Sequence, residues 1–473
     1  MEIANKKILV VGLARTGIAT ARFLRRRGAA VRATDMAAEA ALGPGVAELR
    51  ALDIDLALGG HRVEDFTAAD LIVLSPGVPH TLAPLQAARG RGVPVIGEVE
   101  LAARFIREPI VAVSGTNGKT TVTELLGRMM DASGRRVFVG GNIGRPLIGY
   151  VDGGQTADVV VAEISSFQLD TIVTFRPAVG VLLNITDDHL DRYTGFAAYA
   201  RSKMRLFENQ TAQDTAVLNG ADPVIRAQAA AIRSRRLFYN TAEAAENCAA
   251  VVGTAFALRR PGHEAVRLNL APFRLRGPHN VENACAAALA ALAAGASPLG
   301  IQQALSAFAP LPHRIESVAV VNGVEYVNDS KATNVDAVLR ALDCFATPVV
   351  LIMGGLDKGG NFHLLEAAVR RSVKALVLVG KASDTIRAAL GGLVPTVQAP
   401  DMAAAVRAAA GLAAPGQAVL LSPGCASFDM YQNYQARGED FRQAALRLRN
   451  ITAQGARAQS TQHVTANAKE TDV

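Results

Sequence analysis

The sequence predicts an α/β protein of three domains: Rossmann-like at the N-terminus, of the P-loop ATPase type in the centre, and Rossmann-like α/β again at the C-terminus. Three observations carry this. A strand, a glycine turn and a helix follow one another at Ile8–Gly12 and again at Val111–Thr121. The second instance, Val111-Ala-Val-Ser-Gly-Thr-Asn-Gly-Lys-Thr-Thr121, adds the lysine and hydroxyl that follow a phosphate-binding turn. Beyond Leu311, short apolar runs and amphipathic stretches alternate, as they do when helices connect the strands of one sheet. The 473 residues suffice for roughly three domains of ~150 residues. The expected divisions are 1–98, 99–310 and 311–453, with 454–473 a disordered tail lacking hydrophobic periodicity.

In the first domain, Ile8 to Gly12 reads as a strand, Ala14 to Gly17 as a turn and Ile18 to Arg27 as a helix. A second strand, Ala30 to Ala33, ends at Thr34-Asp35. An acid at that distance from a glycine turn is the Rossmann layout. Gly12 and Gly17 do not complete G-x-G-x-x-G, so the pattern supports the fold more than a dinucleotide ligand. Asp35 is placed to bond a sugar or base, or equally to hold a turn. Asp70 to Ser75 is a further strand with a turn at Gly77, Val93 to Ile96 a short one, and Glu98 to Phe105 begins a helix into the next domain.

The second domain opens on the phosphate loop. Gly115 and Gly118 let backbone N–H groups approach phosphates, Lys119 can reach the outer ones, and the Thr120 hydroxyl can ligate Mg²⁺. Val113 stands where the full P-loop pattern has its first glycine. Strands are expected at Arg136 to Val139 and at Asp158 to Glu163, the latter ending in a carboxylate suited to Mg²⁺. After a strand at Val179 to Leu183, Asp187, Asp188, His189 and Asp191 crowd one strand end, favouring metal or phosphate contact over a surface role. Tyr199 to Lys203 reads as helix, Thr215 to Leu218 and Arg236 to Tyr239 as strands, and Thr241 to Leu270 as weakly patterned. Pro278 begins a long alanine-rich helix on which Asn280 and Asn283, three apart, share a face.

Leu311-Pro-His-Arg-Ile315 marks the next boundary. Val318 to Val321 and Glu325 to Asn328 predict a hairpin turning at Asn322-Gly323. Strands at Pro348 to Met353, Ala375 to Val379 and Ala418 to Leu421 then alternate with helices near Val335–Leu342, Asp384–Leu390 and Met402–Gly411.

Composition narrows the class. A net charge of +7 suits anionic small molecules, and with no dense basic run beyond Arg25-Arg26-Arg27, best read as a solvated helix face, nucleic acid is not expected. Four scattered cysteines without a C-x-x-C pair read as free thiols, and Cys425 has no visible base to make it a nucleophile. No apolar run approaches a membrane span and no signal peptide is recognisable, so a cytoplasmic protein is expected.

Taken together, the motifs resemble the Mur ligases, ATP-dependent amide-forming enzymes of peptidoglycan precursor synthesis, from about Lys6 to about Leu448. Gly115 to Thr121, Glu163, His189, the Tyr199–Lys203 helix, His279-Asn280…Asn283 and His313-Arg314 are shared across the superfamily, including folylpolyglutamate synthetases. Asn328-Asp-Ser-Lys-Ala-Thr-Asn334 and Ser422-Pro-Gly-Cys-Ala-Ser-Phe-Asp-Met-Tyr-Gln-Asn-Tyr434, running on to Arg437-Gly-Glu-Asp-Phe441, resemble its D-glutamate-adding branch. The resemblance implies ATP and Mg²⁺ as cofactors, UDP-N-acetylmuramoyl-L-alanine and D-glutamate as substrates, and a monomer.

It also implies roles. Gly115, Thr116, Asn117, Gly118, Lys119, Thr120 and Thr121 would cradle ATP, with Asn280 and Asn283 at adenine, Asp329 near the ribose and Arg314 on the transferring phosphoryl group. Thr120 and Glu163 would hold one Mg²⁺, His189 and Lys203 a second. Lys203 would be carbamylated, which turns a cation into an anionic oxygen ligand; without the resemblance it reads as a surface lysine. Lys119, His189, Lys203 and Arg314 would form the catalytic set. Arg15, Thr16, Asp35 and Gly77 would hold the UDP end of the acceptor, and Asn142, Gln168 and His189 its middle. Thr333, Lys358, Ser427 and Tyr434 would surround D-glutamate. Ala37 stands where relatives carry Arg, and Tyr434 where Phe is common. A sister ligase adding another amino acid, a nucleotide-dependent switch and, more remotely, a dehydrogenase are the competing readings.

Overall fold

The computed structural model describes residues 1–154, 156–189, 192–241 and 248–449; Asp191 and the expected tail 454–473 lie outside them. Two compact units form. The first comprises Met1–Ile185, Arg192–Phe273 and Glu282–Phe308; the second comprises Thr186–Asp191, Arg274–Val281 and Ala309–Val473.

The first unit contains three sheets. Strands β1 (Lys7–Val11), β2 (Ala30–Asp35), β3 (Asp55–Leu58), β4 (Leu71–Leu74) and β5 (Val95–Gly97) lie in the order β3-β2-β1-β4-β5, all parallel. The chain reverses its direction of travel at β1, so the turn after β1 opens at the switch point where such sheets bind ligands. Strands β6 (Ile110–Ser114), β7 (Val137–Gly141), β8 (Val159–Glu163), β9 (Val179–Leu182), β10 (Thr215–Asn219) and β11 (Arg235–Tyr239) follow as a parallel sheet ordered β11-β10-β9-β6-β8-β7. Every residue of β6 is buried, as a continuous apolar strand covered on both faces must be. The weakly patterned stretch forms an antiparallel sheet of β12 (Ala249–Val252), β13 (Ala255–Leu258) and β14 (Val266–Asn269).

The second unit is built on β15 (Glu316–Val321), β16 (Val324–Asn328), β17 (Val349–Gly354), β18 (Val373–Val379), β19 (Thr396–Ala399) and β20 (Ala418–Leu421). Their order is β15-β16-β20-β17-β18-β19, parallel except for the β15–β16 hairpin. Asn322 and Gly323 both take positive φ at its tip, as a two-residue turn of this kind requires.

Two expectations shift. The helix after β1 begins at Arg15, not at Ile18, so Thr16 and Gly17 belong to its first turn. Any Cβ at Gly17 would run into the Gly12 carbonyl oxygen, and its absence lets the helix start directly against the strand end. The short strand begins at Val95, because the Val93 amide bonds the Ala88 carbonyl and closes the preceding helix. No helix among the described residues is long and apolar enough to cross a membrane.

The first unit is tied together by Glu100, on the Glu98–Ala103 helix that leaves β5. Its buried carboxylate accepts from the amides of Val173 (2.8 Å), Thr174 (2.9 Å) and Phe175 (2.9 Å), the Thr174 hydroxyl (2.6 Å) and Arg104 (2.8 Å). Burial alone would raise its pKa; these donors outweigh burial and hold it below the ordinary carboxylate value. Its contribution to stability is therefore fully present above the unfolded value of 4.5 and is lost as pH falls through the lower folded value. Glu100→Ala is expected to lower the free energy of unfolding by about 3 kcal/mol or more, because the 173–175 amides are left without a partner. Urea denaturation of the two proteins near neutral pH would measure the difference.

Candidate active site

β6 delivers the chain into the Gly115–Gly118 turn, and the Lys119–Ala132 helix starts at once. Gly118 sits at φ +87, and a Cβ there would collide with the Asn283 side-chain oxygen, so this position accepts only glycine without rearrangement. Asn184, just beyond β9, braces the turn. Its carbonyl accepts from the Thr116 amide (2.9 Å), its side-chain oxygen from the Asn117 amide (2.8 Å), and its NH₂ donates to the Asn117 carbonyl (3.1 Å). The Lys119 ammonium donates to the carbonyls of Gly115 and Thr116, both at 2.8 Å.

A second lysine reaches the same oxygen. Lys203, on the Phe196–Met204 helix, donates to the Gly115 carbonyl at 2.7 Å and is 1% exposed. It is not the surface lysine that its sequence context alone suggests. Its ammonium stands 4.7 Å from the Tyr199 ring centre, and the Tyr199 hydroxyl is 3.1 Å from that of Thr116. The loop and the helix carrying Lys203 are thus one hydrogen-bonded body.

The Thr120 hydroxyl donates to one oxygen of Glu163 (2.7 Å) at the end of β8, and Asn142 donates its side-chain NH₂ to the other (2.7 Å). Glu163 is 2% exposed. Thr120 and Glu163 bring together the hard oxygen donors Mg²⁺ selects, and these residues fit such an ion. No group of three or more His, Cys, Asp or Glu suited to a metal forms among the described residues. An ion here would take its remaining ligands from water and phosphate, which is how Mg²⁺ is held in phosphoryl-transfer sites. Asn142, expected at the middle of an acceptor, also orients this carboxylate.

The remaining first-unit candidates ring the first sheet. Asp35 accepts from the amides of Leu13 (2.6 Å) and Ala37 (2.8 Å), fixing the turn after β1. Arg15 is exposed and Thr16 half-buried beside that turn. The exposed Gly77 accepts from Arg192 at 3.4 Å. The Gln168 side-chain oxygen closes a capping box with Ser165, accepting from its amide and hydroxyl at 2.9 Å, which leaves its NH₂ to serve a ligand.

In the second unit, β16, β20 and β17 are neighbours and parallel, so their carboxyl-end loops open side by side. Those loops carry Thr333, Ser427 and Lys358. Lys358 pairs with Asp188 at 2.8 Å, and Asn334 donates to the other Asp188 oxygen at 3.0 Å. Burial would raise the Asp188 pKa, but Lys358 and His189 outweigh it and hold the carboxyl down at about 2. His189 takes positive φ beside it. The Tyr434 ring meets His313 edge-on and carries the Lys331 ammonium 4.1 Å from its centre. Arg314 is half-buried. Asp329 is buried, and burial pushes it up to about 7 against the Ser422 hydroxyl (3.1 Å) and the Ile315 amide (3.3 Å). Asn280 is buried at the start of the Pro278–Ala293 helix, its NH₂ donating to the Arg276 carbonyl at 2.7 Å. Burial lifts the Cys425 thiol to about 12, in keeping with a thiol that is not a nucleophile.

Two residues, Asn184 and Arg437, have no role assigned from the sequence, and Asp188, grouped there with metal or phosphate contacts, is paired with Lys358. All lie inside motifs that stand out in the sequence. The Arg437 guanidinium is buried and donates to the Ser330 hydroxyl (3.0 Å), the Ser330 carbonyl (2.8 Å) and the Cys425 carbonyl (3.0 Å).

A phosphate cradle at the switch strand of a parallel sheet, with two lysines and a hydroxyl–carboxylate pair, defines a nucleoside-triphosphate-dependent enzyme. The matching family models are the Mur ligase MurD-like N-terminal domain over residues 6–97, the Mur ligase middle domain over 113–291 and the Mur ligase glutamate ligase domain over 313–425. A protein of Desulfosudis oleivorans named UDP-N-acetylmuramoylalanine--D-glutamate ligase is 54% identical over 95% of this chain and 98% of its own length. One of the same name from Geotalea uraniireducens is 48% identical over 93% and 97%. Among solved structures, the MurF ligase of Thermotoga maritima in complex with ADP superposes with a TM-score of 0.58 at 14% identity, covering 96% of each chain. A pseudomurein peptide ligase type C from Methanothermus fervidus gives 0.57 at 20%, covering 88% of this chain and 96% of its own. The chain belongs to the Mur ligase family.

Lys119→Ala is expected to weaken ADP binding by at least about tenfold while the fold persists, because the ammonium is held by carbonyls of the phosphate-binding turn rather than by an apolar core. Titration calorimetry with ADP, alongside a thermal melt, would check both parts.

Proposed function

We propose that this chain joins D-glutamate to UDP-N-acetylmuramoyl-L-alanine at the expense of ATP, releasing ADP and phosphate. The observation that carries this reading is the cluster of Thr333, Ser427 and Lys358 at three adjacent strand ends, a cation with hydroxyl donors suited to a dicarboxylate. The names of the relatives at 54% and 48% identity support the choice of D-glutamate over another amino acid.

The γ-phosphoryl group passes to the terminal carboxylate of the acceptor, giving an acyl phosphate and ADP. The D-glutamate amine, once deprotonated, attacks the acyl carbon; the tetrahedral intermediate expels phosphate and loses a proton to leave the amide. Gly115 to Thr121 hold the triphosphate through backbone N–H groups and Lys119, and Arg314 takes up charge on the moving phosphoryl group. Asn280 and Asn283 hold adenine, and Asp329 sets the loop beside the ribose. Mg²⁺, when bound by Thr120 and Glu163, neutralises phosphate charge. A carbamylated Lys203 and His189 would hold a second Mg²⁺. Arg15, Thr16, Asp35 and Gly77 bind the UDP end of the acceptor, Asn142, Gln168 and His189 its middle, and Thr333, Lys358, Ser427 and Tyr434 bind D-glutamate. Residues 1–98, 99–310 and 311–453 are then the acceptor, ATP and amino-acid domains of a cytoplasmic monomer.

Phosphate release from ATP should require both UDP-N-acetylmuramoyl-L-alanine and D-glutamate, with L-glutamate inactive. Turnover with a different amino acid instead would move the chain to a sister ligase; ATP binding without acceptor-dependent turnover would make it a nucleotide switch. Protein equilibrated with ¹³C-bicarbonate should show a carbamate carbon resonance that is absent from Lys203→Ala, and that variant should lose nearly all turnover. Loss of turnover with no such resonance in the parent protein would remove the carbamate.

A further inference from the structure

A small cleft in the first unit opens at the carboxyl ends of β4 and β5, lined by Ser75, His80, Phe167, Gln168, Arg192 and Glu98. Gln168 is the residue placed at the middle of the acceptor, and Gly77, placed at its UDP end, lies between the cleft residues Pro76 and Val78. Nothing so far accounts for Glu98. It is 2% exposed, at the first position of the Glu98–Ala103 helix. One carboxyl oxygen accepts from the Ile148 amide at 2.6 Å, with the Leu147 amide beside it; the other is buried and has no hydrogen-bond partner among the described residues. A buried polar atom without a partner costs about 1–3 kcal/mol, and one at the wall of a cleft is accounted for when a ligand supplies the missing bond.

We propose that Glu98 is an acceptor-binding residue: in its neutral form it donates a hydrogen bond from the second carboxyl oxygen to a carbonyl or ether oxygen of the sugar–acyl part of the acceptor. The inference rests on the acceptor assigned above. The structure favours the neutral acid. Burial raises the Glu98 pKa, the two amides oppose it only in part, and the carboxyl titrates at about 7. No charged side chain contributes to that shift. The ionisable groups around the cleft are His80 and Arg192 in its lining, Asp170 4.0 Å from the His80 ring, and Glu100 further along the same helix, held by the 173–175 loop. An acid donor suits an acceptor oxygen and repels none of the substrate's anionic groups, which an ionised carboxylate in the same place would do. Deprotonation removes the donor, so affinity for the acceptor falls as pH rises through the Glu98 value.

The test is the KM for each substrate of the full-length enzyme from about pH 6 to about pH 9, for the parent, Glu98→Gln and Glu98→Ala. In the parent, the acceptor KM should rise severalfold above roughly pH 7 while the KM values for ATP and D-glutamate do not follow. Glu98→Gln keeps a donor that cannot ionise, so its acceptor KM should stay low and flat. Glu98→Ala should raise the acceptor KM by about tenfold throughout the range. A pH-independent acceptor KM in an active parent, or the same rise retained in Glu98→Gln, overturns the inference and leaves the ligase reading standing. No turnover with this acceptor at any pH overturns the ligase reading and the inference with it. If Glu98→Ala does not fold, the parent and Glu98→Gln decide between these outcomes.

Discussion

One carbonyl oxygen, that of Gly115, receives hydrogen bonds from two lysine ammoniums, Lys119 at 2.8 Å and Lys203 at 2.7 Å. A neutral carbonyl thus orients both side chains toward the phosphate-binding turn. In the proposed reaction negative charge arrives at this point, as phosphate at Lys119 and as the proposed carbamate on Lys203. The positive charge is therefore installed in the fold before the nucleotide binds, which is the condition for electrostatic preorganisation. The links through Asn184 and through Thr116 to Tyr199 keep that carbonyl where it is.

The second unit meets the same problem with different means. Lys358 is balanced by Asp188, so the cation proposed to meet D-glutamate is already paired and oriented. Arg437 is balanced by geometry: three loops remote in sequence present carbonyl or hydroxyl oxygens to one planar fork. Burial pulls the Arg437 pKa down to about 10, which leaves it charged at any physiological pH. A charged fork buried among carbonyls holds those loops at fixed separation, and Thr333, Ser427 and Lys358 ride on their continuations.

Much of this was legible from residue order. Fully buried strands such as β6 and β17 announce themselves as apolar runs, and the hairpin at Asn322-Gly323 follows from turn chemistry alone. What stayed hidden depends on partners remote in sequence. Edge strands β3 and β19 are short and incompletely buried, so they give only weak apolar signals. The early helix start at Arg15 depends on Gly17 packing against Gly12, an approach that composition does not reveal. The burial of Lys203 and the attachment of Asn142 to Glu163 arise from the order in which β6, β8 and β7 lie side by side. A spacing rule along the chain has no access to that order.

The clearest case of such dependence is a pair of glutamates two residues apart on one short helix. Glu98 and Glu100 are both buried and lie in the same motif, Glu98-Val-Glu100. Burial acts on both in the same direction. Glu100 receives five hydrogen bonds and is held below the ordinary carboxylate value; Glu98 receives one, from the Ile148 amide with the Leu147 amide beside it, and is raised to about 7. The number of donors, set by which loop each side chain meets, decides the charge. Glu100 becomes a structural anion that fastens the 173–175 loop, and Glu98 becomes a neutral acid at the edge of a cleft. Identical residue types two positions apart therefore serve stability and recognition separately, and only the tertiary fold distinguishes them.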